Sequence, residues 1–506
     1  MDDPSEPLLS HFANDSGVND KTALTFDKIV EQSLSDFGFW QFFQISLVGL
    51  ALLFDAQQIF ITVYTDAYPT WHCLNHTICD PSASDICNLP RSAWEWDGGS
   101  KGKSVISEFG LECSRSLLRG MPSSAFYIGA IVGGFFLALI PDDSLGRKKL
   151  VLFSTFAMSI TSICVIFSTN IWIYTFLKFF IRFSRSQTWS YALVLISERV
   201  STRWRPRATM IPFTLFVLGF MSLSGIAYLA QDSSWRYLYL YTSVPAIFYC
   251  IFLYLFALES PRWLHMQGND KEAIDVLTKM SPKNKAYLES VVSKLPHEQE
   301  NFEQVPTYSI KDFFFRKWAF QRILVVMIIM FGLGISYYGV PLAARDIDVN
   351  IYLSETLNAL VELPTFVITP ILLERFNRRS SVLVNTLLGG ASGVLCFVLS
   401  ILGTFFCARI GFNLMAVFMV EMFPTCVRSS ATMMFRQALV VGGACCPLIS
   451  SIGRYIPSVS FAIFGIAMSG LGLFVLILPE TKGLSLCDSM EEQEKRDQAV
   501  NTSHVC

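Results

Sequence analysis

The sequence predicts an all-α membrane protein: twelve transmembrane helices in two six-helix halves, with both termini on the cytoplasmic side. Composition excludes an ordinary soluble enzyme of this length. Of the 506 residues, 52% are hydrophobic and only 16% are charged, at a mean hydropathy of +0.44, whereas a soluble domain carries about 25% charge. Apolar runs of the length a bilayer demands, about 18 residues or more, recur in two sets of six. Short charged motifs also occur twice. "DSLGRKK" at Asp143 to Lys149 returns as "ERFNRR" at Glu374 to Arg379, and Glu198 with Arg205 returns as Glu421 with Arg428. The recurrences lie 231 and 223 residues apart, so the chain reads as two fused copies of one unit.

Residues 1–40 form a polar, acidic tail without a cleavable signal, so the first apolar run is expected to act as its own insertion signal. Within that tail Phe26, Ile29, Val30, Leu34 and Phe37 share one helical face, predicting an amphipathic helix on the cytoplasmic membrane face. The N-terminal half, 41–258, holds spans at 42–64, 122–140, 150–168, 171–197, 208–230 and 237–258. A polar stretch, 259–321, carries charged helical sequence such as "NDKEAIDVLTKM" and forms a cytoplasmic cap between the halves. The C-terminal half, 322–480, holds spans at 322–341, 351–373, 381–399, 403–423, 431–453 and 458–478. Residues 381–423 must fit two spans and a turn into 43 positions, where each span needs about 20. Residues 481–506 form a second cytoplasmic tail.

Basic residues in short loops set the orientation. With cytoplasmic termini the inner loops hold Arg147, Lys148, Lys149, Arg199, Arg203, Arg205, Arg207, Arg375, Arg378, Arg379 and Arg428, against Arg236, Arg345 and Arg454 outside, with Arg409 counted on that side. The long first loop, 65–120, then lies outside the cytosol. It carries the glycosylation sequon at Asn75 and four cysteines, Cys73, Cys79, Cys87 and Cys113, which allow three disulfide pairings. The other nine cysteines lie mostly in spans as small apolar residues, and no CxxC or His cluster points to a metal. A net charge of −2 gives no support to nucleic-acid binding.

The paired loop motifs, "ESPRWL" at Glu259 to Leu264, "EMFPTCVR" at Glu421 to Arg428 and "PETKG" at Pro479 to Gly483 resemble the major facilitator superfamily. Within it the long cysteine-bearing loop resembles the organic cation, anion and zwitterion branch. "FDAQQIFITVYTDAYPTWHC" (Phe54 to Cys73), "YYGV" (Tyr337 to Val340) and "RQAL" (Arg436 to Leu439) are most similar to plant organic cation/carnitine transporters. The resemblance covers roughly residues 25–485 and implies a secondary carrier built from two repeats. It also implies cytoplasmic gating by Asp143, Gly146, Arg147, Glu198, Arg205, Glu374, Arg378, Arg379, Glu421 and Arg428, with Glu198 pairing Arg205 and Glu421 pairing Arg428 to hold the halves together at that face.

Charges within the spans are the sharper clue, because an ionisable group at bilayer depth is costly and faces a cavity or a partner. Asp55 and Glu362 lie well inside, Glu355 nearer an end; Lys178, Arg182 and Arg185 share one face of the fourth span at i, i+4, i+7, and Arg436 lies in the eleventh. A quaternary ammonium is held by an acid and aromatic faces; the resemblance implies that Glu362 lines the cation site and that Trp189, Tyr337 and Tyr338 are aromatic pocket positions, with Asp55 the other acid well inside. Arg436 would take the carboxylate of a zwitterion bidentately, or would neutralise Glu421 or Asp55. By the resemblance, Arg182 and Ser184 stand where relatives carry glycines, so a wider or re-aimed helix interface is expected there.

The substrate expected is a small organic cation or zwitterion, carnitine-like first, with the bilayer as partner and either a coupling ion, proton or sodium, or uncoupled movement down the membrane potential. Asp55 or Glu362 would carry a coupled proton. No GxxxxGK[ST] loop is present, so ATP-driven pumping and an enzymatic cofactor are not expected. A carrier of organic anions or polyols, and a non-transporting sensor on the same fold, are the alternatives. "EPLL" at Glu6 to Leu9 resembles an acidic dileucine signal, leaving the vacuolar or the plasma membrane as the location.

Overall fold

The computed structural model describes residues 26–74, 79, 86–97, 102–138, 145–201, 203–284, 288, 316–344, 350–395, 398–453, 457–482 and 490–503. Helices occupy all twelve predicted span positions. In the N-terminal half they are α2 (Phe39–Thr65), α4 (Ser116–Ala138), α5 (Arg147–Ile166), α6 (Ile171–Ser184) with α7 (Thr188–Ser197), α8 (Arg205–Leu229) and α9 (Trp235–Phe256). In the C-terminal half they are α12 (Lys317–Ala344), α13 (Ile351–Arg375), α14 (Arg378–Leu395), α15 (Val398–Met422), α16 (Thr425–Gly453) and α17 (Pro457–Gly472), the last extended by a 3-10 turn. Among the described residues, nine helices are long and apolar enough to cross a bilayer. The smaller helices α1 (Phe26–Ser33), α3 (Val105–Phe109), α10 (Pro261–Met266), α11 (Asp270–Met280) and α18 (Met490–Ser503) flank them.

The repeat seen in the motifs is also a repeat in packing. α2 packs on α8 as α12 packs on α16; α4 on α6 as α13 on α15; α5 on α9 as α14 on α17. The halves meet through α4 with α16 and through α8 with α13, again equivalent positions. Glycines allow the closest approaches: a Cβ on Gly219 would strike the Leu53 carbonyl of α2, and one on Gly334 of α12 the Leu439 carbonyl of α16.

The predicted span 171–197 is broken. Asn170 caps α6 by accepting from Ile173 N at 2.9 Å, and the helix then gives way to a turn at residues 185–187 before α7 resumes. No proline or glycine marks the break. The interface at Arg182 is not widened as expected. α4 supplies the missing small residues, since a Cβ on Gly129 or Gly133 would collide with the Phe179 or Phe183 carbonyl of α6. Arg182 lies against Phe126 of α4, 5.3 Å from its ring, while Gly129 and Gly133 keep the two backbones close.

The first loop is a small folded unit. β1 (Trp71–Cys73) pairs antiparallel with β2 (Trp94–Trp96) in the register Trp71 to Trp96, over a cluster of Ile86, Trp94 and Trp96. Of the three pairings open to its cysteines, the structure has Cys73 with Cys79 and Cys87 with Cys113. Asn75 lies outside the described residues.

At the motif end, the apolar face of α1 is covered by protein. Its apolar residues Ile29, Val30 and Leu34 are buried against Leu264, Ile274, Leu277 and Met280 of α10 and α11. Glu31 reaches Arg262 at 3.2 Å and Arg205 at 3.6 Å. The C-terminal tail is equally anchored, because α18 pairs Glu494 with Arg316 and Asp497 with Arg322 at the start of α12. Each tail is thus tied to its own half.

Candidate functional site

A cavity of about 790 Å³ lies between the halves, lined by Asp55, Arg182, Trp189, Tyr337, Tyr338, Arg409 and Arg436 at mid-height and by Arg147, Leu150, Met419 and Val420 towards the motif end. At the opposite end Tyr64 of α2 stacks on Tyr352 of α13 with ring centroids 5.7 Å apart, and Tyr228 of α8 meets the same ring edge-on at 5.6 Å. These three rings join the halves at the disulfide-loop end.

Asp55 and Glu362 are each held by an arginine. Asp55 on α2 contacts Arg185, the residue that closes α6 at its break. Glu362 on α13 lies 2.6 Å from Arg409 of α15, both almost fully buried, with Tyr337 Oη at 3.5 Å donating to the same carboxylate oxygen. Arg409, expected at an outer loop, is a mid-helix residue. Its guanidinium sits 5.3 to 5.7 Å from the rings of Phe412, Phe366 and Tyr337. Glu362 is consequently not the cavity-facing acid the sequence suggests; its partner Arg409 lines the cavity and Glu362 does not. Arg185 and Arg409 are 224 residues apart, nearly the repeat offset. That offset is the signal by which Arg409 could have been found.

Two cavity arginines are different. Arg182 Nε and Nη1 and Arg436 Nη1 make no hydrogen bond among the described residues. Arg436 neutralises neither acid expected for it, because Asp55 is taken by Arg185 and Glu421 by Arg378. Instead its guanidinium lies 5.6 Å over the Trp189 ring. Trp189 packs in turn on Phe213 at 5.0 Å, and Tyr337 and Tyr338 meet edge-on at 5.0 Å. The site therefore brings together Asp55, Trp189, Tyr337, Tyr338 and Arg436, adds Arg182 and Arg409, and leaves Glu362 behind. Buried cations of this kind demand an anionic partner or water.

At the motif end the charge pairs differ from those expected. Glu198 lies 3.9 Å from Arg147 and Glu421 2.9 Å from Arg378, so each glutamate meets the arginine of its half's repeated motif. Arg205 donates to the Ser197 carbonyl at 3.2 Å. Acids that follow each half's last helix complete the pattern: Glu259 accepts from Lys148 N at 3.0 Å, and Glu480 accepts from Arg378 N at 2.9 Å and Arg379 N at 3.1 Å. Both carboxylates therefore sit on the positive N-terminus of a helix. Gly146 is required beside Glu259, whose carboxylate a Cβ would overlap. All these pairs lie within one half. Glu374 is exposed on α13, Asp143 lies outside the described residues, and so does the side chain of Arg428 on the first turn of α16.

Two repeated helical bundles around a central cavity lined by apolar side chains and arginines, with tyrosine rings joining the halves at the loop end, define a secondary transporter of the major facilitator type. A family model for sugar (and other) transporters matches residues 37–492, and the chain belongs to that family. Among curated relatives, it is 93% identical to organic cation/carnitine transporter 6 and 70% identical to organic cation/carnitine transporter 5 of Arabidopsis thaliana, each over 100% of both chains. Solute carrier family 22 member 6-A of Xenopus laevis is 28% identical over 83% of this chain and 77% of its own length. The fold matches the inward-open xylose transporter XylE from E. coli with a TM-score of 0.58 at 17% identity, covering 90% of this chain and 98% of that one.

Proposed function

We propose that the chain carries small zwitterions of the carnitine type, bearing a quaternary ammonium and a carboxylate, by alternating access across twelve spans with cytoplasmic termini. The observation that carries this reading is the pair Arg182 and Arg436, with unpartnered N–H groups at a cavity whose acids are already ion-paired. Arg182 and Arg436 take the carboxylate, and the faces of Trp189, Tyr337 and Tyr338 take the ammonium. The names of the plant relatives agree with such a substrate. A purely cationic substrate fits less well, since it would enter beside arginines rather than a bare carboxylate.

In this cycle the pairs Glu198 with Arg147 and Glu421 with Arg378 brace each half at the cytoplasmic end, and the cluster Tyr64, Tyr228 and Tyr352 separates when the opposite end opens. Asn75 is the glycosylation site on the outer side. "EPLL" supports residence in the vacuolar membrane over the plasma membrane. A coupled proton or sodium ion drives accumulation.

The same arginines favour, as a second reading, a carrier of organic anions. Uptake of labelled L-carnitine into proteoliposomes, challenged with tetraethylammonium and with a dicarboxylate, separates the two. Saturable carnitine uptake that is lost in Arg436→Met and resists the dicarboxylate supports the zwitterion site. Inhibition by the dicarboxylate together with no carnitine uptake would move the assignment to anions.

A further inference from the structure

Beside the cavity, on the side of the disulfide-bonded loop, lies a buried polar chain that substrate binding does not use. Lys178 Nζ donates to Tyr239 Oη at 2.9 Å; Tyr239 Oη lies 3.1 Å from Tyr174 Oη; Tyr174 Oη donates to Asp66 Oδ1 at 2.7 Å. Lys178, Tyr174 and Tyr239 are wholly buried, and Asp66 retains 5% exposure at the loop end of α2. With Tyr239 donating to Tyr174, each oxygen accepts one proton and donates one. The chain is then continuous and oriented from Lys178 to Asp66.

Lys178 has a single hydrogen-bond acceptor for its three protons among the described residues, and lies against the rings of Phe126, Tyr174 and Tyr239 at 4.9, 5.9 and 5.3 Å. The charged groups around it are few. On its own helix Arg182 follows one turn later, against the same Phe126 ring at 5.3 Å, and Arg185 is spent on Asp55. α9 offers Tyr239 and, beyond Trp235, Arg236 paired to Glu108; α2 offers Asp66; α5 contributes Ser162, bonded to Gln58. Arg182 thus raises the electrostatic cost of a charged Lys178, and a carboxylate bound at Arg182 removes it.

We propose that Lys178 is a proton-binding site coupled to substrate, and that Tyr239, Tyr174 and Asp66 form the route by which its proton exchanges with the loop end of the molecule. This rests on the carboxylate-binding reading of Arg182 and Arg436. In the outward transfer, Lys178 gives a proton to Tyr239, Tyr239 gives its own to Tyr174, and Tyr174 gives its own to the Asp66 carboxylate. Lysine ends neutral, both phenols are unchanged and Asp66 is protonated; the reverse sequence reloads Lys178. Because linkage is reciprocal, a bound carboxylate favours protonated Lys178 and a protonated Lys178 favours the carboxylate, so proton and zwitterion travel together.

The test uses the full chain in liposomes loaded with a pH-sensitive dye, with L-carnitine as probe. Carnitine counterflow and carnitine accumulation driven by a pH gradient are measured for wild type, Tyr239→Phe, Asp66→Asn and Lys178→Met. Carnitine entry should carry protons with it, and apparent affinity should rise as pH falls. In Tyr239→Phe and Asp66→Asn the ratio of gradient-driven accumulation to counterflow should drop by about tenfold, within the usual range of coupling between sites. Lys178→Met should flatten the pH dependence of affinity. Net carnitine entry without proton entry, or gradient-driven accumulation undiminished in Tyr239→Phe, overturns the relay alone. Absence of carnitine counterflow in the wild type overturns the substrate reading and the coupling with it.

Discussion

The two halves share a plan and differ in charge. Each places an arginine at the same point of its fourth helix, Arg185 and Arg409, and each uses it to hold an acid within the bundle. The acid comes from the first helix in one half, Asp55, and from the second in the other, Glu362. Only the N-terminal copy adds Lys178 and Arg182; the positions 224 residues later are Leu402 and Phe406. In the C-terminal pair only Arg409 reaches the cavity lining and Glu362 does not, whereas in the N-terminal pair the acid itself, Asp55, lines it. We read the C-terminal half as the side that supplies Arg409 and Arg436 to the cavity, and the N-terminal half as the side that adds an acid, Asp55, and the buried Lys178.

The sharpest challenge to that contrast is to remove one arginine from each half. Arg409→Met leaves Glu362 buried and unpaired, which should cost about 3–5 kcal/mol, read as a lower Tm of the full chain in detergent. The double variant Arg409→Met with Glu362→Leu should recover most of the loss. Arg185→Met should cost clearly less, because the cavity offers Asp55 water. Equal losses would erase the distinction.

Within the first loop, replacing Cys87 and Cys113 with alanine opens a separation of 26 residues, against 6 for Cys73 and Cys79. On the loop-entropy model the former should destabilise that unit by roughly 3 kcal/mol and the latter by roughly 2, measurable as faster proteolysis of the loop. Smaller still is the contrast between glycines. Gly133→Leu has to push α4 from α6 and should cost roughly 1–3 kcal/mol. Gly225→Ala, with nothing within 4 Å, should stay within about 0.5 kcal/mol.

The least effect concerns pH. The Thr70 hydroxyl, and then His72, hold the Asp97 carboxyl below its ordinary value. A depressed carboxyl stabilises the loop above its unfolded pKa and loses that contribution as pH falls through its folded value. Loop protection should therefore decline only in acid, below the ordinary carboxylate range. Thr70→Val should move the decline to higher pH.

Much of this plan was readable beforehand because repetition and hydrophobic length leave strong marks on a chain. The twelve helical positions and the folded cysteine loop follow from them. Pairing did not follow. Glu198 and Arg205 are close in sequence, yet Arg147 takes the glutamate because α5 and α7 lie side by side. The break after Ser184 was invisible, since the turn at Arg185, Ser186 and Gln187 contains neither glycine nor proline. The orientation count sets Arg409 with the outer side although it falls within the predicted span 403–423, because a charge next to a short predicted turn mimics a loop residue. Gly129 and Gly133 compensate for the bulk of Arg182 from another helix, which no local pattern on α6 can reveal.

The central claim is that the cavity recognises a carboxylate through Arg436 and Arg182. Equilibrium binding of L-carnitine and of choline, which lacks the carboxylate, to the purified full-length wild type and Arg436→Met tests it most directly. The account expects carnitine to bind the wild type at least about tenfold more tightly than choline, as a charge-assisted hydrogen bond of about 1.5–3 kcal/mol implies, and Arg436→Met to remove most of that preference. Equal affinities in the wild type, or a preference unchanged by Arg436→Met, would contradict it.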